Sequence, residues 1–137
     1  MKKLYYIYLD DVRTPVDKDW IVVRNYDEFV KKVTEIGFKN IGLVSLDHDL
    51  GDTAMKEWYT NVAKNFTLDY NNITEKTGMD CAKWLVEKWM DGEKVFPVKV
   101  HSANAIGSGN IMGYINNFLH LHRFPQDCVR WQVEHTV

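Results

Sequence analysis

A chain of 137 residues is long enough to form one domain with a sizeable buried core, and a second domain of ordinary size is not expected. Hydrophobic residues make up 45% and charged residues 26%, which excludes a disordered chain or a membrane chain. Lys and Arg total 17 against 19 Asp and Glu, and the net charge of -2 gives no global positive surface for duplex nucleic acid.

No apolar run approaches the roughly 20 residues that a membrane-spanning helix needs. The N-terminal apolar stretch meets Asp10 and Asp11 too early for a signal peptide. Cys81 and Cys128 are too few and too far apart for a zinc motif or a disulfide framework, so reduced thiols are expected. We therefore expect a cytoplasmic protein without a membrane segment, in which residues 1–137 form a single domain.

The first apolar run, residues 4–9, predicts a strand covered on both faces, and it ends at the acidic pair Asp10 and Asp11. A second strand is expected over residues 20–23, where β-branched and aromatic residues return. Asp27 is then the predicted N-cap of a helix whose apolar residues recur at helical spacing. The chain thus begins with two strands and a helix, with acid at the end of the first strand.

Residues 41–46 predict a third strand that again ends in acid, at Asp47 and Asp49 with His48 between them. The segment that follows, residues 52–77, is polar and aromatic by turns. It is expected to contain a helix and an irregular loop, and to supply ligand selectivity.

The rest of the chain predicts a helix at 78–90, a strand at 96–100, a helix at 111–120 and a strand at 128–133. Two glycines in the segment 106–110 suggest a loop whose backbone donors can approach a ligand closely. Because strands alternate with helices, the expected fold is α/β with a five-stranded, mainly parallel sheet.

Polar residues follow three of these strands at their carboxyl ends, the edge where open parallel sheets bind ligands. Carboxylates held close repel one another, so a cluster of them indicates a bound cation, and oxygen ligands suit Mg²⁺ or Mn²⁺. Turn formation would explain any single Asp or Asn, but it requires neither histidine nor repeated acid. We therefore predict a divalent-metal and phosphate site whose metal ligands are Asp10, Asp11, Asp47 and Asp49.

Two of the five histidines, His48 and His101, fall at these strand ends, where an imidazole can act as general acid or base. Together with Asp47 they are the predicted catalytic residues. A strand-end histidine can instead simply hydrogen-bond a backbone carbonyl, and this alternative stays open for both.

Phosphate binding is expected of Arg13 and Arg24, whose guanidinium groups suit a bidentate grip. Either arginine could instead form a surface ion pair. Ser102 and Asn104, which follow the fourth strand, are expected to orient the phosphate as well. A serine hydroxyl at such a position can instead bond its own backbone.

An acidic pair after the first strand, an Asp after the third and a hydroxyl residue followed by Ala after the fourth resemble a response-regulator receiver domain. In receivers the acidic residues hold Mg²⁺, the third-strand Asp accepts a phosphoryl group, and a Lys after the fifth strand grips it. Residues 129–133 contain no Lys, so Arg130 is the one cation there that could replace it.

A longer set of strings resembles the cyclic-phosphate-processing receiver-like family over nearly the whole chain. They are Leu9-Asp10-Asp11-x-Arg13-x-Pro15, Ser45-Leu46-Asp47-His48-Asp49-Leu50-Gly51, Thr77-Gly78 and His101-Ser102-Ala103-Asn104. The resemblance implies a flavodoxin-like, three-layer sandwich and a role, associated with RNA repair, on cyclic phosphates of nucleotides or RNA ends. The expected activity is a metal-dependent phosphoesterase. A non-catalytic nucleotide or cyclic-nucleotide binder and a receiver phosphorylated on Asp47 are the alternatives.

Overall fold

The computed structural model describes residues 3–17 and 19–122, together with the backbone of Val133–Glu134. All strand pairs are parallel, and the strand order is β2-β1-β3-β4-β5. The strands are β1 (Tyr5–Leu9), β2 (Trp20–Val23), β3 (Ile41–Leu46), β4 (Val98–His101) and the two-residue β5 (Val133–Glu134). A parallel α/β sheet of the flavodoxin-like, receiver-like class is therefore present. The predicted strand at 128–133 and Arg130 lie outside the described residues, apart from the backbone of Val133.

Three long helices follow the strands, and a shorter helical segment lies between β3 and the second of them. The helices are α1 (Tyr26–Ile36), α2 (Asp52–Glu57), α3 (Ala63–Asn65), α4 (Gly78–Met90) and α5 (Ala105–Leu121). A π-helical turn, Trp58–Val62, joins α2 to α3, and 3₁₀ turns lie at Phe38–Asn40 and Tyr70–Asn72. None of the described helices is both long and apolar enough to cross a bilayer.

The three long helices form one layer, in which α4 packs against both α1 and α5. Each connects strands in the same direction across the sheet, and right-handed crossovers in one direction place their helices on one face. Residues 10–17 leave β1 as a loop without a helix. Within the described ranges the fold therefore has two layers where three were expected, since no helix joins β1 to β2.

One hydrophobic core lies between the sheet and this helical layer. The strands contribute residues such as Ile7, Leu9 and Val44, and the helices contribute Phe29 and Leu85, all fully buried. Burial of such side chains contributes about 1.5–3 kcal/mol each, which fixes the strand register. The polar strand ends are thereby held at one edge of the sheet.

Two predicted helix starts were wrong because a capping residue lies earlier in the chain. Helix α1 is capped by Asn25, whose side chain accepts a hydrogen bond from the Glu28 backbone N–H at 2.9 Å, and Asp27 lies inside the first turn. Helix α5 begins at Ala105, so residues 106–110 are helical and do not form the expected ligand loop. The predicted strand at 96–100 is also displaced, and β4 begins at Val98.

Candidate metal and phosphate site

Three carboxylates lie together where β1 and β3 end. In the register of these strands Leu9 faces Leu46, so the next residues, Asp10 and Asp47, are neighbours. One ligand atom from each of Asp10, Asp11 and Asp47 lies within 4.8 Å of the others. We refer to these three residues as the acidic cluster. A buried acidic cluster of this kind can bind a divalent metal ion.

Asp10 is fully buried and accepts hydrogen bonds on both carboxylate oxygens. Its Oδ1 accepts from the backbone N–H groups of Val12 at 3.0 Å and Arg13 at 2.8 Å. Its Oδ2 lies 2.9 Å from Arg13 Nε and 3.2 Å from His101 Nε2. Burial acts to raise the pKa of Asp10, but the hydrogen bonds from His101 and these two amides outweigh it and lower the pKa below its ordinary value.

Asp47 has fewer donors than Asp10. Its Oδ1 accepts from the His48 backbone N–H at 2.8 Å, and its Oδ2 lies 3.9 Å from Arg13 Nη2. Burial, and then the charges of Asp10 and Asp49, raise the pKa of Asp47 to about 8. Burial followed by the charge of Asp10 also raises the pKa of Asp11. This excess of buried negative charge is what a divalent cation would neutralise, so the donor set fits such an ion.

The free energy of unfolding of the metal-free protein is expected to fall as the pH rises from about 4 to about 8. Asp47 has a pKa near 3.8 when unfolded and about 8 when folded. Between these values the folded state holds a proton that the unfolded state has lost, which lowers stability by at most about 1.4 kcal/mol per pH unit. Urea titrations in EDTA from pH 5 to pH 8 measure this slope. An equal slope in Asp47→Asn would contradict the assignment.

His101 lies beside Asp10 and is completely buried. Its Nδ1 is 2.6 Å from the Ser45 hydroxyl, its Nε2 faces Asp10, and its ring stacks on Tyr8 with centroids 4.1 Å apart. The Asp10 carboxylate can only accept hydrogen bonds, so we assign the imidazole proton to Nε2. The Ser45 hydroxyl is then assigned as the donor to Nδ1. His101 thus orients Asp10, and both of its ring nitrogens are bonded to protein groups.

His48 is also completely buried, and it links Asp49 to Tyr70. Its Nδ1 lies 2.7 Å from Asp49 Oδ1, and its Nε2 lies 2.9 Å from the Tyr70 hydroxyl. The Tyr70 hydroxyl in turn accepts from Asn110 Nδ2 at 3.2 Å. Each imidazole is enclosed and bonded on both nitrogens. This geometry gives no support to direct proton transfer from His48 or His101 to a ligand, which stays a prediction.

Asp49 was predicted as a metal ligand, and the structure places it outside the acidic cluster. Its Oδ1 is shared between His48 Nδ1 and Asn104 Nδ2, the latter at 3.2 Å. It remains near enough for its charge to raise the pKa of Asp47. The Asp49 carboxylate therefore orients the His48 imidazole. A carboxylate is a common partner for a buried His N–H.

Ser102 and Asn104 are buried and bonded to protein groups, in part within their own segment and, for Asn104, also to Asp49. The Ser102 hydroxyl accepts from the Asn104 backbone N–H at 3.1 Å. Asn104 Oδ1 accepts from the Gly107 N–H at 2.8 Å, which caps α5. These bonds explain the local path of the chain. They give no geometric support to the predicted phosphate contacts of Ser102 and Asn104.

Arg13 and Arg24 have different positions relative to the acidic cluster. Arg13 reaches Asp10 and Asp47 from a side chain that is 31% exposed. Arg24 Nη1 donates to the backbone carbonyls of Asp10 and Arg13 at 3.1 and 2.7 Å, and its Nη2 donates to Thr14 Oγ1 at 2.7 Å. Arg24 therefore holds the loop that carries the cluster, and these bonds do not support the predicted phosphate grip.

Two residues that shape the site, Tyr70 and Gly78, were not predicted to do so from the sequence. A Cβ atom on Gly78 would lie 1.9 Å from the Asp47 carbonyl oxygen, so α4 can approach the end of β3 only with glycine there. Gly107 is similar, since an added Cβ would lie 2.4 Å from the His48 ring. The Thr77-Gly78 string in the sequence was the signal that could have identified Gly78. Tyr70 follows no periodic pattern and left no such signal.

Tyr70 is held in place by the segment between α2 and α4, which has a buried carboxylate of its own. Glu57 accepts hydrogen bonds from Asn61 Nδ2 at 2.8 Å, from the Asp69 backbone N–H at 2.9 Å and from Asn72 Nδ2 at 2.9 Å. These three bonds close the segment on either side of Tyr70. The hydroxyl therefore meets His48 from a defined position.

A family model described as cyclic-phosphate processing receiver domain matches residues 5–117. No curated protein and no solved structure matches the chain. The matched region includes β1 to β4, the acidic cluster and most of α5. It therefore covers most of the chain, and the protein belongs to the cyclic-phosphate-processing receiver domain family.

Proposed function

We propose that the protein is a metal-dependent phosphoesterase acting on a cyclic or terminal phosphate of a nucleotide or an RNA end. The observation that carries the proposal is the acidic cluster, three carboxylates whose ligand atoms lie within 4.8 Å of one another. The family description supports the substrate class, since it refers to the processing of cyclic phosphates. A phosphate ester is also the ligand that a cluster-bound cation would attract.

Asp10, Asp11 and Asp47 would hold Mg²⁺ or Mn²⁺. Such an ion, when bound, polarises a phosphoryl oxygen and lowers the pKa of a bound water. Asp10 enters this role with its orientation fixed by His101 and two backbone amides. Arg13 is a partly exposed cation at the cluster and would bind the phosphate.

Proton movement is proposed to run through Tyr70, because its side chain is partly exposed whereas His48 is enclosed. As water adds to phosphorus and a P–O ester bond breaks, the water proton passes to the Tyr70 oxygen while the Tyr70 proton moves to His48 Nε2. The resulting imidazolium lies against Asp49, 2.7 Å away. The leaving oxygen takes its proton from solvent.

Tyr70→Phe is expected to lower kcat for a cyclic nucleotide by about 100-fold, within the range of general base catalysis. Mn²⁺ affinity should be unchanged, because Tyr70 is not a cluster residue. Tyr114→Phe is the matched control, since Tyr114 is an exposed tyrosine on α5. Steady-state kinetics and Mn²⁺ titration make the measurement, and wild-type kcat in Tyr70→Phe would exclude the relay.

The proposed activity is tested by incubating purified protein with a panel of 2′,3′-cyclic and 3′,5′-cyclic nucleotides and phosphate-terminated RNA, with Mg²⁺ or Mn²⁺. Chromatography should show metal-dependent product, and Asp47→Asn should abolish it. Absence of turnover across the panel would contradict the phosphoesterase.

A non-catalytic nucleotide or cyclic-nucleotide binder is a second candidate. The enclosure of both His48 and His101 favours it, because a site that only holds a phosphate needs no imidazole within reach of the ester. Ligand bound tightly and recovered intact after incubation with Mn²⁺ would favour this function. Recovery of hydrolysed ligand would exclude it.

A further inference from the structure

We propose that Arg13 is an exchangeable counterion of the acidic cluster, which leaves Asp10 when a divalent cation is held there and then binds the phosphate of the ligand. The inference rests on the metal-dependent site of the proposed function and goes further, because it makes phosphate binding depend on prior cation binding. It is carried by the hydrogen bonds of Asp10.

Every acceptor position of the Asp10 carboxylate is already filled by a donor in the described part of the chain. A carboxylate offers about four lone-pair positions. Oδ1 accepts from the N–H groups of Val12 and Arg13, and Oδ2 receives Arg13 Nε and His101 Nε2. Asp10 can therefore become a metal ligand only if one of these donors gives way.

Of the two side-chain donors to Asp10, Arg13 is the one that reaches solvent. The two backbone donors belong to a loop that Arg24 fixes through the carbonyls of Asp10 and Arg13. The His101 side chain is 0% exposed and is fixed by stacking and by a second hydrogen bond, whereas the Arg13 side chain is 31% exposed. A partly exposed guanidinium that leaves a carboxylate can be hydrated again, whereas the enclosed imidazole of His101 cannot.

Electrostatic repulsion from a bound cation would also favour the release of Arg13 from Asp10. Arg13 Nε lies 2.9 Å from Asp10 Oδ2 and its Nη2 lies 3.9 Å from Asp47 Oδ2, so the guanidinium is paired with Asp10 and lies near Asp47. A divalent cation held by the same carboxylates would repel it at close range. Because the Arg13 backbone stays anchored by Arg24, the displaced guanidinium remains beside the cluster and turns toward solvent.

A phosphate that approaches the cluster then meets a guanidinium released from its carboxylate partner. In the metal-free protein the same group is engaged, and the phosphate would face Asp10, Asp11 and Asp47 without a cation. Cation and phosphate should consequently bind with positive coupling, and the coupling must be reciprocal.

Isothermal titration with Mn²⁺, with and without inorganic phosphate, tests the exchange in wild type and Arg13→Gln. Arg13→Gln is expected to bind Mn²⁺ at least about 5-fold more tightly and to lose at least about 10-fold in phosphate affinity at saturating Mn²⁺, within the usual range of coupling between sites. Lys32→Gln, which removes a lysine from an exposed pair with Glu35 on α1, should match wild type in both.

Unchanged or weaker Mn²⁺ binding by Arg13→Gln, or phosphate coupling of wild-type size, would overturn the exchange. If Arg13→Gln fails to fold by circular dichroism, Arg13→Lys replaces it, and it should lose phosphate affinity because an ammonium lacks the bidentate fork. Neither titration depends on turnover. If the wild type binds Mn²⁺ and phosphate with coupling but hydrolyses no ester, the proposed phosphoesterase activity is wrong and the exchange of Arg13 stands. If the wild type hydrolyses an ester but Arg13→Gln binds Mn²⁺ no more tightly, the activity stands and the exchange is wrong.

Discussion

Asp47→Asn is expected to stabilise the metal-free protein while abolishing Mn²⁺ binding and any metal-dependent turnover. Asn can still accept the His48 backbone N–H through its side-chain oxygen, but it removes a buried charge whose ionisation is opposed by burial and by Asp10. We expect a gain of about 1–3 kcal/mol in the free energy of unfolding at pH 8, from the differential cost of ionising the folded carboxyl. Guanidinium titrations in EDTA measure it.

The control for this prediction is Asp69→Asn, which changes an Asp that caps the 3₁₀ turn beyond the acidic cluster. Its stability should change little, because Asn is an equally good capping residue, and its Mn²⁺ affinity should remain that of wild type. A destabilised Asp47→Asn protein would show that the carboxylate contributes favourably to the metal-free fold, contrary to the raised pKa.

Gly78→Ala is expected to destabilise the fold by more than about 3 kcal/mol, at the severe end of single substitutions. The added methyl group would lie 1.9 Å from the Asp47 carbonyl oxygen, which is backbone and cannot rotate away. Relief requires α4 to move from the end of β3, and this would break the hydrogen bond from the Gly78 N–H to the His48 carbonyl at 2.9 Å. Urea denaturation followed by tryptophan fluorescence is the measurement.

Gly113→Ala is the matched control, since it makes the same substitution inside α5, where an added Cβ meets nothing within 4 Å. It should raise stability by about 0.5–1 kcal/mol through helix propensity alone. Equal stability changes in Gly78→Ala and Gly113→Ala would show that α4 is not packed against the end of β3.

The convergence of Asp10 and Asp47 was predictable from the sequence because hydrophobic burial determines where each strand ends. Both residues follow apolar runs, and in a parallel sheet the carboxyl ends of neighbouring strands share an edge. Family membership was predictable on the same residues, because the strings at the strand ends are specific in combination.

The directions of the histidine side chains were not predictable in this way. A strand-end position says which edge carries His48 and His101, but their enclosure depends on Tyr8, Ser45 and Tyr70, which lie elsewhere in the chain. Rotamers of buried polar residues follow from such partners and not from local pattern.

The start of α5 and the position of Tyr70 were missed for two different reasons. Gly107 and Gly109 lower helix propensity and suggested a loop, but the Asn104 cap and the contact of Gly107 with His48 favour the helix. Tyr70 lies in a segment without periodicity, and its position depends on Glu57 bonds that span up to 15 residues.

The Glu57 hydrogen bonds also have a consequence for how relatives of this protein can diverge. A segment closed by its own internal carboxylate does not rely on the sheet for its shape, so its outward side chains, such as Tyr59 and Phe66, are free to vary under selection. Substitutions there leave the acidic cluster untouched. Sequence changes can therefore accumulate in this segment while the geometry of the strand ends is kept.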